Sequence, residues 1–161
     1  MIVASDTSPI SNLILINKLD VLQKTFGEIV IPETVGNEIF ALKKFNKSIT
    51  EFETAKWIRQ VKIKNLNVFN SLKKKLEEEE AEAIALAKEL RPEYLLIDEK
   101  QARAIAFEMG IRTIGLVGVL VKAKRENHID SIKPILDDLI RVGFWISKNL
   151  YSEVLKSVNE Q

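Results

Sequence analysis

Short apolar runs recur along this chain, each stopped by a turn or by a helix-opening signal: IVAS at 2–5, EIVI at 28–31, YLLID at 94–98 and IRTIG at 111–115. Runs of that length without polar alternation suit strands covered on both faces. Helical stretches separate them, and strands alternating with helices predict a parallel sheet between two helical layers, an α/β fold. At 161 residues the chain is long enough for a three-layer core and fits one domain spanning 1–161.

The helices are punctuated by the residues expected at their ends. Ser8 can N-cap a helix whose first residue is Pro9; that stretch breaks near Asn17 and ends at Gly27. Pro32 opens a helix with the stripe Val35, Ile39 and Leu42. A helix at about 49–60 carries Phe52, Ala55, Trp57 and Ile58, and a weaker strand follows around 61–69. The segment SLKKKLEEEEAEAIALAKEL at 71–90 passes from a lysine run through a glutamate run into an alanine-rich helix. Further helices are expected over EKQARAIAFEMG, ending at Gly110, and at about 116–126, 131–142 and 148–158. Trp57, Phe144 and Trp145 are expected in the core.

Composition narrows the chemistry. There is no cysteine, and His128 is the only histidine, so disulfides, thiolate nucleophiles and poly-histidine zinc sites are excluded. Any metal must take oxygen ligands, which favours Mg²⁺ or Mn²⁺. The net charge of +1 decides nothing about a nucleic-acid partner. The longest apolar runs fall short of the ~18 residues that span a bilayer. MIVASD has neither a basic leader nor a long apolar region, so a cytoplasmic location is expected.

Four carboxylates stand where the pattern calls for apolar residues. Asp6 and Asp98 each follow a strand, at the carboxyl edge where open parallel sheets bind ligands. Glu38 lies three residues after Val35 and four before Leu42, and Glu80 lies three, four and seven before Ala83, Ile84 and Ala87. Both glutamates are therefore phased inward. Glu77, Glu78 and Glu79 have no such phase, and Glu82 falls opposite the stripe, so these four are read as solvated.

Each acid alone has a structural explanation: Asp6 as a helix cap, Glu38 paired with Lys43 or Lys44, Asp98 capping a helix that starts at Glu99. Four together point to a site, because converging buried carboxylates require cations. Such a site holds one or two Mg²⁺ or Mn²⁺ ions and hydrolyses phosphodiesters without histidine or cysteine. Thr7 and Ser8 are candidates to hydrogen-bond a ligating carboxylate or a metal-bound water, and capping remains an equal role for Ser8.

At these residues the sequence resembles the PIN-domain family, in particular its prokaryotic toxin-like branch related to the VapC ribonucleases. The landmarks are DTSPI at 6–10, IPETVGNEI at 31–39, EEAEAIALAKEL at 79–90, LLIDEKQARAIAFEMG at 95–110, GLVGVLVKAK at 115–124 and GFWIS at 143–147. The resemblance implies a central parallel sheet of four or five strands and an acidic Mg²⁺ or Mn²⁺ pocket that cleaves RNA. It places Asp6 and Asp98 as direct metal ligands, with Glu38 and Glu80 ligating directly or through water. It also implies a homodimer inhibited by a small antitoxin protein.

Three positions depart from that branch. Glu79-Glu80 stands where Gly-Glu is usual, Leu116 where a threonine follows the glycine, and Gly118 where many PIN nucleases carry a further acid. The last two motivate an alternative, a PIN-fold module that binds nucleic acid without turnover.

Overall fold

The computed structural model describes residues 1–45 and 47–161. Among these residues five strands, β1 (Val3–Ser5), β2 (Ile29–Ile31), β3 (Ile58–Gln60), β4 (Tyr94–Leu96) and β5 (Thr113–Ile114), form one parallel sheet in the order β3-β2-β1-β4-β5. The chain builds outward from β1 to β3, then crosses back to lay β4 on the free side of β1. Strand order therefore reverses between β1 and β4, where an open α/β sheet has its crevice.

Among the described residues, ten α-helices cover the sheet: α1 (Thr7–Leu15), α2 (Asp20–Phe26), α3 (Glu33–Phe40), α4 (Thr50–Thr54), α5 (Leu66–Leu72), α6 (Glu78–Leu90), α7 (Lys100–Glu108), α8 (Leu116–Arg125), α9 (Lys133–Arg141) and α10 (Lys148–Ser157). Strand residues alternate between two cores with the period of a pleated strand. Val3, Ile29, Ile31 and Leu96 pack with α1, α2, α3, α8, α9 and α10 on one face. Ala4, Val30 and Leu95 pack with α5, α6 and α7 on the other. The three-layer α/β/α architecture follows the strand pattern of the sequence.

The structure revises several local expectations. Trp57 precedes β3 rather than closing a helix: α4 stops at Thr54, β3 occupies 58–60, and 66–72 is helical where a strand was expected. As an edge strand carrying Arg59 and Gln60 toward solvent, β3 lacks the apolar signature of the inner strands. Helix α1 starts at Thr7 with Asp6 at the N-cap position, earlier than a cap at Ser8 would set it. Phe144 packs against the core as expected, but Trp145 is 82% exposed.

Candidate functional site

The carboxyl ends of β1 and β4 feed a cleft of 390 Å³ lined by Asp6, Thr7, Ser8, Ser11, Glu38, Glu79, Glu80, Asp98 and Glu99. All four carboxylates expected from the sequence reach it, from four different elements. No basic side chain is in that lining, so among the described residues the cleft concentrates negative charge without an internal counter-ion.

Asp6 is 4% exposed. It occupies the N-cap position of α1, yet its side chain makes no capping bond, and Oδ1 has no hydrogen-bond partner among the described residues. Burial pushes its carboxyl up to about 7; the Thr7 backbone N–H opposes this, and Glu80, Glu79 and Glu38 add to it. Asp98 does not cap α7, a task performed by Glu99, whose Oε2 accepts from Ala102 N–H at 2.8 Å. Instead, Asp98 Oδ1 accepts from Leu116 N–H at 2.8 Å, while Oδ2 is buried without a partner among the described residues. Burial raises the Asp98 carboxyl, against the lowering effects of that bond and of the nearby Arg103 guanidinium.

Gly115 makes this placement possible. A Cβ there would lie 2.9 Å from Asp98 Oδ1 and 2.8 Å from Arg103 Nη1, so any side chain would displace the carboxylate. The absent hydroxyl at Leu116 thus matters less than its backbone, because the Leu116 side chain is fully buried in the core and its N–H fixes Asp98. Gly118 lies outside the cleft lining and packs against Ile114, so an acid would not fit there without moving that side chain.

The two glutamates differ. Glu80 is 8% exposed and belongs to a capping box in which its Oε1 accepts from Glu77 N–H at 3.1 Å, while the Glu77 side chain accepts from Glu80 N–H. One oxygen closes the helix and the other is left for the cleft. Glu38 is exposed at the rim rather than buried, and Thr7 Oγ1 donates to its Oε2 at 3.0 Å. Partial desolvation of the carboxyl group is the chief cause raising both above their ordinary value, even for Glu38 at the rim. Ser8 Oγ is occupied by Asn12 Nδ2 at 3.1 Å.

Two acids read as solvated are at least partly buried. Glu79 lines the cleft, and Glu82 is 8% exposed with Oε1 accepting from Thr34 N–H at 3.0 Å, tying α6 to the first turn of α3. The signal for Glu82 was present: residues 80 to 87 of α6 are buried all round, and a helix apolar on every side has no solvent face for an acid.

The donor set fits a hard divalent cation. Two buried carboxylate oxygens, Asp6 Oδ1 and Asp98 Oδ2, lack any partner among the described residues, and such atoms cost free energy unless something pairs with them. Among the described residues no group of three acids already has the spacing to enclose an ion. An ion there would need waters to complete its shell, as Mg²⁺ commonly keeps several.

Fold order, cleft position and acid set converge on the matches found for this chain. A family model described as DUF3368, PIN domain, matches residues 2–160. The chain belongs to the PIN-domain family. PIN domains are in general nucleases that use divalent metal ions. Among solved structures, this PIN domain resembles a PilT N-terminus domain protein from the hyperthermophilic archaeon Sulfolobus solfataricus, with 19% identity and a TM-score of 0.52 over 76% of this chain and 93% of that one. That likeness concerns the fold. No curated protein matches the sequence. No helix among the described residues is long and apolar enough to cross a membrane.

Proposed function

We propose that this PIN domain is a Mg²⁺- or Mn²⁺-dependent endoribonuclease, with Asp6, Glu38, Glu80 and Asp98 as its catalytic and metal-binding acids. The observation that carries the reading is the pair of buried, unpartnered oxygens Asp6 Oδ1 and Asp98 Oδ2 on either side of the β1/β4 crevice. A bound divalent cation would supply charge neutralisation at the phosphate and a water of lowered pKa. The remaining work belongs to the chain. Asp6 and Asp98 would hold the cation, Leu116 N–H orients the Asp98 carboxylate, and Thr7 Oγ1 steadies Glu38 at the rim. Glu80, anchored by Glu77 N–H, keeps one oxygen for a water in the cleft.

The charge of the cleft supports a metal requirement. A phosphate about 4 Å from a carboxylate at an effective dielectric of ~20 is repelled by about 4 kcal/mol. With six carboxylates in the lining, a nucleic-acid backbone cannot approach until cations offset them. The purified protein is expected to cleave RNA with Mg²⁺ or Mn²⁺ and to stop in EDTA. Equal cleavage by Asp6→Asn or Asp98→Asn would sink the assignment.

The proposal extends to a toxin role with a small protein antitoxin and to a cytoplasmic homodimer, on the strength of the toxin-like motifs in the sequence. Growth arrest on expression, relieved by a neighbouring small gene product, and the mass in solution test these. The alternative is RNA binding without turnover, favoured by the lack of a ready three-acid cage among the described residues. Measured binding with no cleavage under any divalent ion would select it.

A further inference from the structure

Asp98 lines two cavities. Beyond the acid cleft, on its other side, lies a hollow of 380 Å³ whose floor is Ile114, Val117 and Phe144 and whose rim carries Arg103 and Trp145. Its chemistry is the opposite of the cleft's: apolar below, one cation at the edge, and a single acid, Asp98, shared with its neighbour. Two glycines keep it open, since a Cβ at Gly115 would meet Arg103 and Asp98, and one at Gly118 would meet Ile114 Cγ1 at 2.9 Å.

Trp145 is 82% exposed, but its loop is well tethered. Gly143 turns the chain at φ +105, Phe144 N–H donates to Leu139 O at 2.9 Å, and Ser147 Oγ caps α10 by accepting from Leu150 N–H at 3.1 Å. Phe144 and Ile146 pack onto the core on either side, so the indole between them is held out in water by a fixed backbone. An aromatic ring presented beside an apolar floor, with a guanidinium at hand, matches a planar base attached to a phosphate.

We propose that this hollow is a nucleobase subsite: the base of the nucleotide next to the scissile phosphate stacks on Trp145, and that nucleotide's own phosphate meets Arg103. The inference rests on the reading of the acid cleft as a ribonuclease centre, whose shared wall, Asp98, fixes the distance between cleavage and stacking. It makes the hollow the place where the enzyme senses what flanks the cut, and where cleavage acquires a base preference.

Two measurements separate this subsite from the nuclease reading. The first uses adenosine 5′-monophosphate and ribose 5-phosphate as probes of the indole N–H resonances, of which the chain has only two. AMP is expected to shift the Trp145 signal, assigned with Trp145→Ala, while ribose 5-phosphate leaves it in place, and Arg103→Ala weakens the AMP effect. The second is RNA cleavage kinetics. Trp145→Ala raises KM about tenfold, within the range for losing one base–aromatic stack, while Trp145→Phe recovers most of it. An abasic nucleotide beside the cut removes the difference between wild type and Trp145→Ala. An AMP shift in a protein that cleaves nothing keeps the subsite and discards the nuclease. Cleavage with a Trp145→Ala KM equal to wild type and no AMP shift discards the subsite alone. If Trp145→Ala converts a dimer to a monomer and leaves base dependence untouched, the ring belongs to a second copy and the proposal is overturned.

Discussion

Replacing Asp6 by asparagine should make the metal-free protein more stable, although it is expected to destroy activity. The carboxyl of Asp6 rises from 3.8 to about 7 on folding, so between those values the folded state holds a proton that the unfolded state has released. Stability then falls as pH rises through that window, by about 4 kcal/mol at ~1.4 kcal/mol per tenfold in proton affinity. Above pH 7 the loss is complete and the buried charge is fully borne by the fold. The asparagine side chain carries no charge, but its amide NH2 brings donors that the carboxylate lacks, and a buried donor without an acceptor costs about 1–3 kcal/mol. The net gain in EDTA at pH 7.5 is roughly 2 kcal/mol, or about 4–8 °C in Tm for a chain of this size. Urea and thermal melts of both proteins at pH 4 and pH 7.5 check this, and the advantage of Asp6→Asn should vanish at pH 4. Mn²⁺ should reverse the order, since an ion at a hundred times its Kd stabilises the wild type by about 2.7 kcal/mol and leaves the variant little changed. A variant less stable than wild type in EDTA at pH 7.5, or an advantage independent of pH, would refute the claim that Asp6 is buried at a cost.

Other substitutions probe the scaffold of the site. Gly115→Ala, at φ −86, is free of backbone strain, so it should lower kcat tenfold or more by pushing Asp98 and Arg103 apart while shifting Tm little; a normal kcat would show that the carboxylate can relax. Glu82→Ala removes the acceptor for Thr34 N–H and should cost about 2 kcal/mol in a urea melt, with Glu82→Gln recovering most of it because an amide oxygen can still accept. Leu116→Thr supplies the hydroxyl usual in the toxin-like branch, but its side chain lies in the core, so the expected outcome is about 2 kcal/mol of lost stability and no gain in cleavage rate. Thr7→Val leaves Glu38 without its donor and should weaken Mn²⁺ binding, measured by calorimetry, by a few-fold while the fold stays intact.

The inner strands were legible because burial on both faces leaves them apolar apart from Ser5, and Asp6 and Asp98 stood out as the first charges after those runs. Glu80 is buried as helical phase predicts, although α6 is buried on every side from 80 to 87, so its burial there does not depend on phase. Phase overstated Glu38, because α3 presents its inner face to the sheet only at Val35, Gly36 and Ile39, leaving Glu38 at the edge. Glu82 was missed by treating α6 as a one-sided helix when neighbours surround it. The region from 49 to 69 was unreadable for a different reason: β3 gets its hydrogen bonds from β2 on one side only, and its residues answer to solvent as much as to the sheet. Trp145 shows the limit of composition, for an exposed tryptophan and a buried one have the same letter, and only the tethers at Gly143 and Ser147 decide which way it faces.

The pairing of β1 with β4 also sets when the site comes into being. Val3 lies opposite Tyr94, so the two strands that carry Asp6 and Asp98 are joined by more than half the chain, whereas β1 and β2 close through the short α1–α2 connection. Closing the longer loop costs more entropy and is rewarded only once the intervening helices have found their places. During synthesis, Asp6 emerges from the ribosome long before its partner, and a nascent chain short of residue 98 has one half of the pair and no pocket. If this protein cuts RNA, it does so only once β4 has joined β1 and the Leu116 N–H that fixes Asp98 has been made, so the messenger and ribosome that make it never meet an active fragment of the first strands alone.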